Sequence, residues 1–191
     1  MKKSTPKRAV LSALVLMSSF ISHAGDWTGN VSGFIGKKSL DDNDWANLDS
    51  QSSIGVIFDI KKQNWPISIA FDVIASADIY KNGSQKDTAT SVENDIGVRK
   101  IFNLKNSSFR PYIGGGISLL SAQLERKDTF TTVKKRGNAT GGWIGIGTYY
   151  EINSHFIMGL DVRYSAAKAK IFDVKREIGG LNAGFTIGYH W

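Results

Sequence analysis

Apolar and polar residues alternate along most of the chain after residue 25. A period of two is typical of β-strands with one apolar and one polar face, and no segment after residue 25 keeps a helical period. Polar stretches separate the alternating segments. The pattern predicts eight strands, at 27–37, 51–61, 66–80, 91–102, 109–124, 139–152, 156–165 and 180–191.

Each predicted strand has charged or small residues on one parity and apolar residues on the other. In the seventh strand, for example, Val162 lies between Asp161 and Arg163. Successive side chains of a strand point to opposite faces, so one face of the sheet is apolar and the other carries charge. The first strand has the least clear parity, because Phe34 and Ile35 are adjacent.

The connectors between these strands alternate in length. The short connectors are 62–65, 103–108 and 153–155, and the long polar ones are 38–50, 81–90, 125–138 and 166–179. Short turns on one side and long loops on the other are typical of outer-membrane barrels, and an even number of strands places both chain ends on the turn side. We therefore predict an all-β fold, an eight-stranded antiparallel up-and-down transmembrane β-barrel.

A soluble barrel of the lipocalin type is the main alternative, because it alternates in the same way with its apolar face inside. The polar parity favours the membrane arrangement, since it carries glycines and charges of both signs that suit a narrow lumen. The chain also ends on an aromatic residue. Further aromatic residues collect at strand ends, as in the girdles of membrane barrels: Trp27, Trp65, Phe109, Tyr150, Phe156, Tyr189 and Trp191 on the turn side, and Tyr80 and Tyr164 on the loop side.

The first 24 residues have the pattern of a signal peptide. Four basic residues precede the apolar stretch 9–21, and Ser22 and Ala24 are small residues that fit a signal-peptidase site. An apolar run of about 13 residues is shorter than the roughly 20 that a transmembrane helix needs; an N-terminal core helix is the alternative. We expect export through the Sec pathway, cleavage after Ala24, and a single barrel domain over 25–191.

Composition excludes several classes of function. The 191-residue chain has no cysteine, which excludes disulfides, thiolate metal sites, a catalytic cysteine and a lipoprotein anchor. The net charge of +7 falls to +3 once the four basic residues of 1–24 are removed. No aromatic residues interleave the basic ones as a stacking platform, so we expect no nucleic-acid partner.

Two motifs resemble ligand sites only superficially. Gly114–Gly116 and the glycine-rich segment 141–147 lack the following helix that a phosphate-binding loop needs. The acidic run Asp41, Asp42, Asn43 and Asp44, with Asp49, lacks the glycine and the closing glutamate of an EF-hand. We interpret the first as strand glycines and the second as a solvated loop, and expect neither a cofactor nor a metal.

The last eight residues, GFTIGYHW, place Phe185, Ile187, Tyr189 and Trp191 at alternate positions. This ending resembles the assembly signal of bacterial outer-membrane proteins, most of which end in Phe. The segments RPYIGGGISL and MGLDVRYS are similar to strands of the small eight-stranded barrels OmpW, OmpX and the OmpA membrane domain. The resemblance implies a location in the outer membrane of a Gram-negative bacterium, insertion by the barrel assembly machinery, and delivery by periplasmic chaperones.

Charged residues lie on the polar parity of five strands. If the apolar parity contacts lipid, these side chains point into a lumen that is too narrow to hydrate them, so they must pair. We expect Arg99 and Arg110 to lie close together, with an acid such as Asp161 beside them. The predicted structural ion-pair network consists of Asp59, Asp72, Glu93, Asp95, Arg99, Arg110, Asp161 and Arg163.

The third and fourth loops are basic. Because Arg and Lys suit phosphate, these residues can contact lipopolysaccharide, although a merely solvated loop surface is the alternative. The candidate lipopolysaccharide contacts in the third loop are Arg126, Lys127, Lys134, Lys135 and Arg136.

An eight-stranded barrel is just wide enough inside for its own side chains. We therefore expect a structural or surface-interaction role and no enzymatic activity. The alternative is a narrow channel or transporter for small apolar molecules, as in the OmpW-like group, for which inward Ile57, Ile74 and Leu120 are the few apolar lining residues. A lipid A-modifying enzyme is less well supported, because His190 has no serine two residues away.

Overall fold

The computed structural model describes residues 26–171 and 174–191, so the predicted signal peptide 1–24 lies outside the described residues. One short helix, α1 (Asp42–Trp45), is followed by a 3-10 turn (Ala46–Leu48). No helix in the described ranges is long and apolar enough to cross a membrane. The ten strands are β1 (Trp27–Ser39), β2 (Ser50–Lys62), β3 (Ser68–Asn82), β4 (Gln85–Ile101), β5 (Phe109–Lys127), β6 (Thr132–Glu151), β7 (Phe156–Ala166), β8 (Lys168–Ile171), β9 (Val174–Glu177) and β10 (Gly180–His190).

Eight of the strands form a closed antiparallel barrel in the order β1-β10-β7-β6-β5-β4-β3-β2, and β8 pairs with β9 in a separate hairpin. The predicted eight-stranded barrel is confirmed. We call the end that holds Trp27 and Trp191 the turn end, and the opposite end the loop end.

The stagger of the strands follows from the register. A row of cross-strand partners that starts at Leu119 on β5 passes once round the ring and returns to β5 at Phe109, ten residues nearer the turn end. With eight strands, this stagger tilts each strand by about 40° from the barrel axis. The ten residues from Phe109 to Leu119 then span about 25 Å along the axis, the height of the apolar band of a membrane barrel.

The two faces of the barrel are inverted relative to a soluble barrel. The outward Ile144 and Phe185 are 68% and 69% exposed, whereas the inward Arg99 and Arg163 are 0% and 1% exposed. Apolar side chains on the outer wall and charges inside are what a hydrocarbon environment requires. This inversion excludes the lipocalin-like alternative.

Aromatic residues ring the turn end as expected. Phe109 packs against Tyr150 with ring centroids 5.0 Å apart, and Trp27 packs edge-on against Trp65 at 5.6 Å. The assignment of Tyr80 to a loop-side girdle is wrong. Tyr80 lies on the same parity of β3 as the inward residues, in a part of the strand beyond the apolar band.

Three loop assignments also need correction. The predicted loop 81–90 is a tight hairpin that turns at Gly83, whose φ is +56°, and the predicted loop 125–138 is reduced to 128–131. The fourth loop contains the β8–β9 hairpin. Strands β4, β5 and β6 therefore have 17, 19 and 20 residues, against 11 in β7 and β10. Above the apolar band the outward positions of these strands are mostly polar, so the outward apolar parity that marks the strands in the sequence is lost.

The loop end is covered by α1, the 3-10 turn and the β8–β9 hairpin, which we call the cap. The Nε1 of Trp45 donates to the carbonyl of Glu177 at 2.6 Å and joins the two parts of the cap. Under the cap lies an apolar group that we call the loop-end cluster: Trp45, Leu48, Ala89, Leu120, Ala122, Leu124, Ala167, Ala169, Ile171 and Ile178.

Candidate functional site

The centre of the lumen holds two arginines that share one carboxylate. Asp72 Oδ2 accepts a hydrogen bond from Arg99 Nη2 and another from Arg163 Nη1, each at 2.7 Å. The strands β3 and β7, which carry Asp72 and Arg163, are opposite each other in the ring. The Asp72–Arg163 contact therefore crosses the lumen from wall to wall.

Further carboxylates complete the network. Arg163 binds both oxygens of Asp161, at 2.8 and 3.0 Å, and its Nη1 donates to Asp95 at 3.2 Å. Arg99 Nη1 donates to Asp59 Oδ2 at 3.1 Å. Because removing one partner leaves a buried charge uncompensated, each of these pairs depends on the others.

Two tyrosines accompany the arginines. The hydroxyl of Tyr112 donates to Asp161 at 2.6 Å, and that of Tyr149 donates to Asp59 at 2.9 Å. The Arg99 guanidinium lies 5.0 Å from the centre of the Tyr112 ring, in a cation–π contact. Each tyrosine hydroxyl thus shares its acceptor oxygen with an arginine, since Asp161 Oδ2 also accepts from Arg163 and Asp59 Oδ2 also accepts from Arg99.

The sequence interpretation missed Trp143 and Tyr149 as lumen residues. Both lie on the inward parity of β6, together with Gly145 and Gly147, and they are 3% and 0% exposed. The sequence does contain a signal for these two residues. They occupy alternate positions with Gly145 and Gly147, and glycines on one face of a strand make room for large rings on the same face. A Cβ atom on Gly147 would overlap the ring of Tyr112.

Glu93 has a cationic partner that the sequence interpretation also missed. Lys38 Nζ lies 3.1 Å from Glu93 Oε2 and donates to the carbonyl of Ile178, also at 3.1 Å. Ser118 donates to Glu93 at 3.4 Å and makes a second, short hydrogen bond to Asp95. The sequence predicts that the connector begins at Lys38, but β1 continues to Ser39 and points the Lys38 side chain inward.

Arg110 does not join Arg99, and the expectation that the two lie close together is wrong. In the register of β4 and β5, Arg99 faces Gly114, so Arg110 is four residues, or about 13 Å, nearer the turn end. Its Nη1 instead pairs with Glu151 at 2.9 Å, and its Nε donates to Asn103 at 3.2 Å. The other seven predicted network residues are each 2% exposed or less.

The inward apolar residues are packed against their neighbours. Ile57 and Ile74 form a small buried group with Phe34, and Leu120 belongs to the loop-end cluster. All four are 3% exposed or less. They lie beside the ion-pair network, since Ile57 is opposite Asp72 and both Ile74 and Leu120 are opposite Glu93, and they fill space that a transported apolar molecule would need as an open cleft.

The acidic loop is used for local hydrogen bonds. Asp41 Oδ1 accepts from both nitrogens of Asn43 at 3.0 Å, and Asp44 Oδ2 accepts from the backbone N–H of Glu177 at 2.6 Å. Over 26–171 and 174–191, no group of three or more His, Asp or Glu residues is placed to hold a metal ion. Asp44 helps to hold the cap.

The basic residues of the third loop lie on two different faces of β5 and β6. Lys127, Lys134 and Arg136 share the outward parity, and Lys134 pairs with Glu125 at 2.8 Å. Arg126 and Lys135 share the opposite parity with the buried Leu124, and Arg126 pairs with Asp87 at 3.4 Å.

The C-terminal residues close the barrel. On β10, Phe185, Ile187 and Tyr189 are exposed on the outer wall, and Tyr189 is opposite Val31 of β1. The backbone of Trp191 exchanges two hydrogen bonds with Gly29, each at 3.2 Å. The residues of the predicted assembly signal thus form the last strand of the ring.

Solved structures share this fold. The Neisserial surface protein A has a TM-score of 0.53 and 15% identity, over 86% of this chain and 95% of that chain. Ail of Yersinia pestis, solved with the heparin analogue sucrose octasulfate, has a TM-score of 0.56 and 11% identity, over 87% and 98% of the two chains. OprG of Pseudomonas aeruginosa has a TM-score of 0.54 and 14% identity, over 88% and 96%.

A comparison with curated proteins finds no significant match. The family model described as the outer membrane protein beta-barrel domain matches residues 10–190, nearly the whole chain. Together with the closed ring of eight strands and its apolar outer wall, this match shows that the chain belongs to the family of bacterial outer-membrane β-barrel domains.

Proposed function

We propose that this outer-membrane protein has a structural and surface-interaction role, that it is not an enzyme, and that its own side chains close its lumen. The observation that carries this proposal is the contact of Arg163 with Asp72 across the lumen, at 2.7 Å. Nearer the loop end, Lys38 joins Glu93 to the carbonyl of Ile178, the residue that follows the β8–β9 hairpin of the cap. A solute would have to break both layers to pass.

Under this proposal the interacting surface is the loop end. The basic residues of the third loop support contacts with lipopolysaccharide phosphates, since guanidinium and ammonium groups bind phosphate well. We propose such contacts for Arg126, Lys127, Lys134, Lys135 and Arg136. During biogenesis, the barrel assembly machinery and periplasmic chaperones are the proposed partners, and the strand that ends at Trp191 is the proposed recognition element.

Conductance of the purified protein in planar bilayers tests the closed lumen. We expect no single-channel steps for the wild-type protein or for Arg163→Ala, because Tyr112, Tyr149 and Trp143 still fill the cross-section. A matched porin preparation serves as the positive control. Regular conductance steps, or uptake of small apolar solutes into protein-containing vesicles, would favour the narrow transporter. Mass spectrometry of lipid A after incubation with the protein tests for lipid modification, and unchanged masses are expected.

A further inference from the structure

Three lysines on three neighbouring strands occupy a single cross-strand row. Lys81 of β3 is directly opposite Lys86 of β4, and Lys86 is directly opposite Lys127 of β5. Directly opposed residues have Cβ atoms about 4.5–5.5 Å apart, and like charges in such positions destabilise a sheet. Among the residues that the structure describes, none of the three forms a salt bridge with a carboxylate. The row therefore has uncompensated positive charge.

This lysine row faces outward. Lys127 has the same parity on β5 as Ile117 and Leu119, which are 59% and 45% exposed on the outer wall. On the next strand, Lys134 and Arg136 share this face. Across the described outward positions of β3 to β6 beyond the apolar band, Glu125 is the single carboxylate, and it is paired with Lys134.

The height of the row above the membrane follows from the strand tilt. Lys127 is eight residues beyond Leu119 on β5, which places it about 20 Å along the barrel axis from the edge of the apolar band. The ammonium groups are therefore outside the hydrocarbon layer, at the level of the saccharide headgroups of an outer leaflet.

A surface pocket lies between the apolar band and the lysine row. It has a volume of about 470 Å³, and its outward lining residues are Asn94, Ser121, Asn138 and Thr140, beside Leu119. Within the described part of the chain, no hydrogen bond satisfies these four side chains. These amide and hydroxyl groups are therefore available to bond to a molecule that lies at the edge of the hydrocarbon layer.

We propose that the outer face of β3 to β6 binds a phosphorylated glycolipid of the same leaflet. Its acyl chains lie on the apolar band, its sugar hydroxyls bond to Asn94, Ser121, Asn138 and Thr140, and a phosphate of its core saccharide binds the lysine row. Phosphate supplies the negative charge that the row lacks and accepts several hydrogen bonds from ammonium groups. This inference rests on the proposed surface-interaction role. It assigns the lipopolysaccharide contact to one defined site on the outer wall, where the proposed function names only the basic residues of the third loop.

Binding is measured on the full barrel in lipid nanodiscs with purified lipopolysaccharide that carries core phosphates. We expect the triple variant Lys81→Gln, Lys86→Gln, Lys127→Gln to lose at least about tenfold in affinity, equivalent to about 1.4 kcal/mol. The matched control is Lys62→Gln, Lys100→Gln, Lys105→Gln, which removes the same charge at the turn end and should bind normally. Equal affinities of the two triple variants would overturn the proposal.

Two further probes test the phosphate contact and the saccharide contacts separately. Lipopolysaccharide whose core has been enzymatically dephosphorylated should bind the wild type about as weakly as the intact molecule binds the triple variant. The double variant Asn138→Leu, Thr140→Leu should weaken binding of both forms. Inorganic phosphate that binds as tightly as lipopolysaccharide would overturn the glycolipid assignment. Folding of every variant is checked by heat-dependent mobility in gels. Conductance is recorded on the same samples. An open lumen would refute the closed-barrel proposal, but it would leave the result of the binding test unchanged.

Discussion

Asp72 and Arg163 belong to strands that are four positions apart in either direction round the ring, yet their side chains meet at 2.7 Å in the middle of the lumen. Both are buried, in a lumen that is just wide enough for the side chains of its own wall. The contact ties opposite walls together, so the network should contribute to stability more than a surface ion pair does.

The variant Arg163→Ala should lower the free energy of unfolding by about 3–5 kcal/mol, because it leaves Asp95 and Asp161 without their arginine and leaves Asp72 with Arg99 alone. Denaturant unfolding in lipid vesicles measures the change. Arg136→Ala removes an exposed arginine on a neighbouring strand and should have little effect. Equal stability of the two variants would mean that the network is dispensable.

Gly147 should tolerate no side chain. A methyl group there would overlap the Tyr112 ring and the backbone of β7, whereas one on Gly142 would meet its nearest atom at 3.6 Å. We expect Gly147→Ala to cost about 1–3 kcal/mol in unfolding free energy and Gly142→Ala to cost much less. The same vesicle assay compares them, and a smaller cost at Gly147 would contradict the packing described.

Deleting Tyr189 to Trp191 should impair assembly. The last strand closes the ring against β1, and an open edge in lipid leaves backbone groups unpaired at a cost of several kcal/mol each. The amount of heat-modifiable protein in outer-membrane fractions is the readout. Trp191→Phe keeps an aromatic end and should assemble normally, whereas full assembly of the deletion variant would argue against the signal.

The mature chain should begin at Gly25. Mass spectrometry of protein extracted from the outer membrane should give the mass of 25–191. Replacing Ala24 with a bulky residue, as in Ala24→Phe, should slow processing because the signal-peptidase site accepts small residues. Mature protein that still contains 1–24 would refute the targeting prediction.

The sequence predicts which side chains of each strand share a face, because the alternation of apolar and polar residues is a local property. Asp161 and Arg163 flank Val162, and this triplet alone assigns two side chains to one face and one to the other. Strand length was less accessible, because Thr88 and Thr90 extend β4 by pairing with Glu125 and Gln123 of β5, where the outward positions are polar and no longer apolar. The same reason hid Lys38, one residue past the predicted end of β1.

Which charged residues meet could not be derived from parity. Arg99 and Arg110 share the inward parity, but their separation depends on the register of β4 against β5, which the sequence does not specify. The partners of Arg163 come from β3, β4 and β7, so they depend on the closure and stagger of the whole ring. The lysine row depends on register in the same way, since its members are 46 positions apart at the extremes.

The uneven height of the barrel wall has a consequence for self-association. Beyond Ala77, β3 has lost its partner β2, and beyond Gly142, β6 has lost its partner β7, so the projecting sheet has two edges above the membrane. An uncovered sheet edge can pair with a strand of another molecule. Lysines on an edge oppose such pairing by repulsion, and Lys81, Lys134 and Lys135 lie on these two edges. The charges that would attract an anionic glycolipid should therefore also keep neighbouring barrels from joining edge to edge in a crowded membrane.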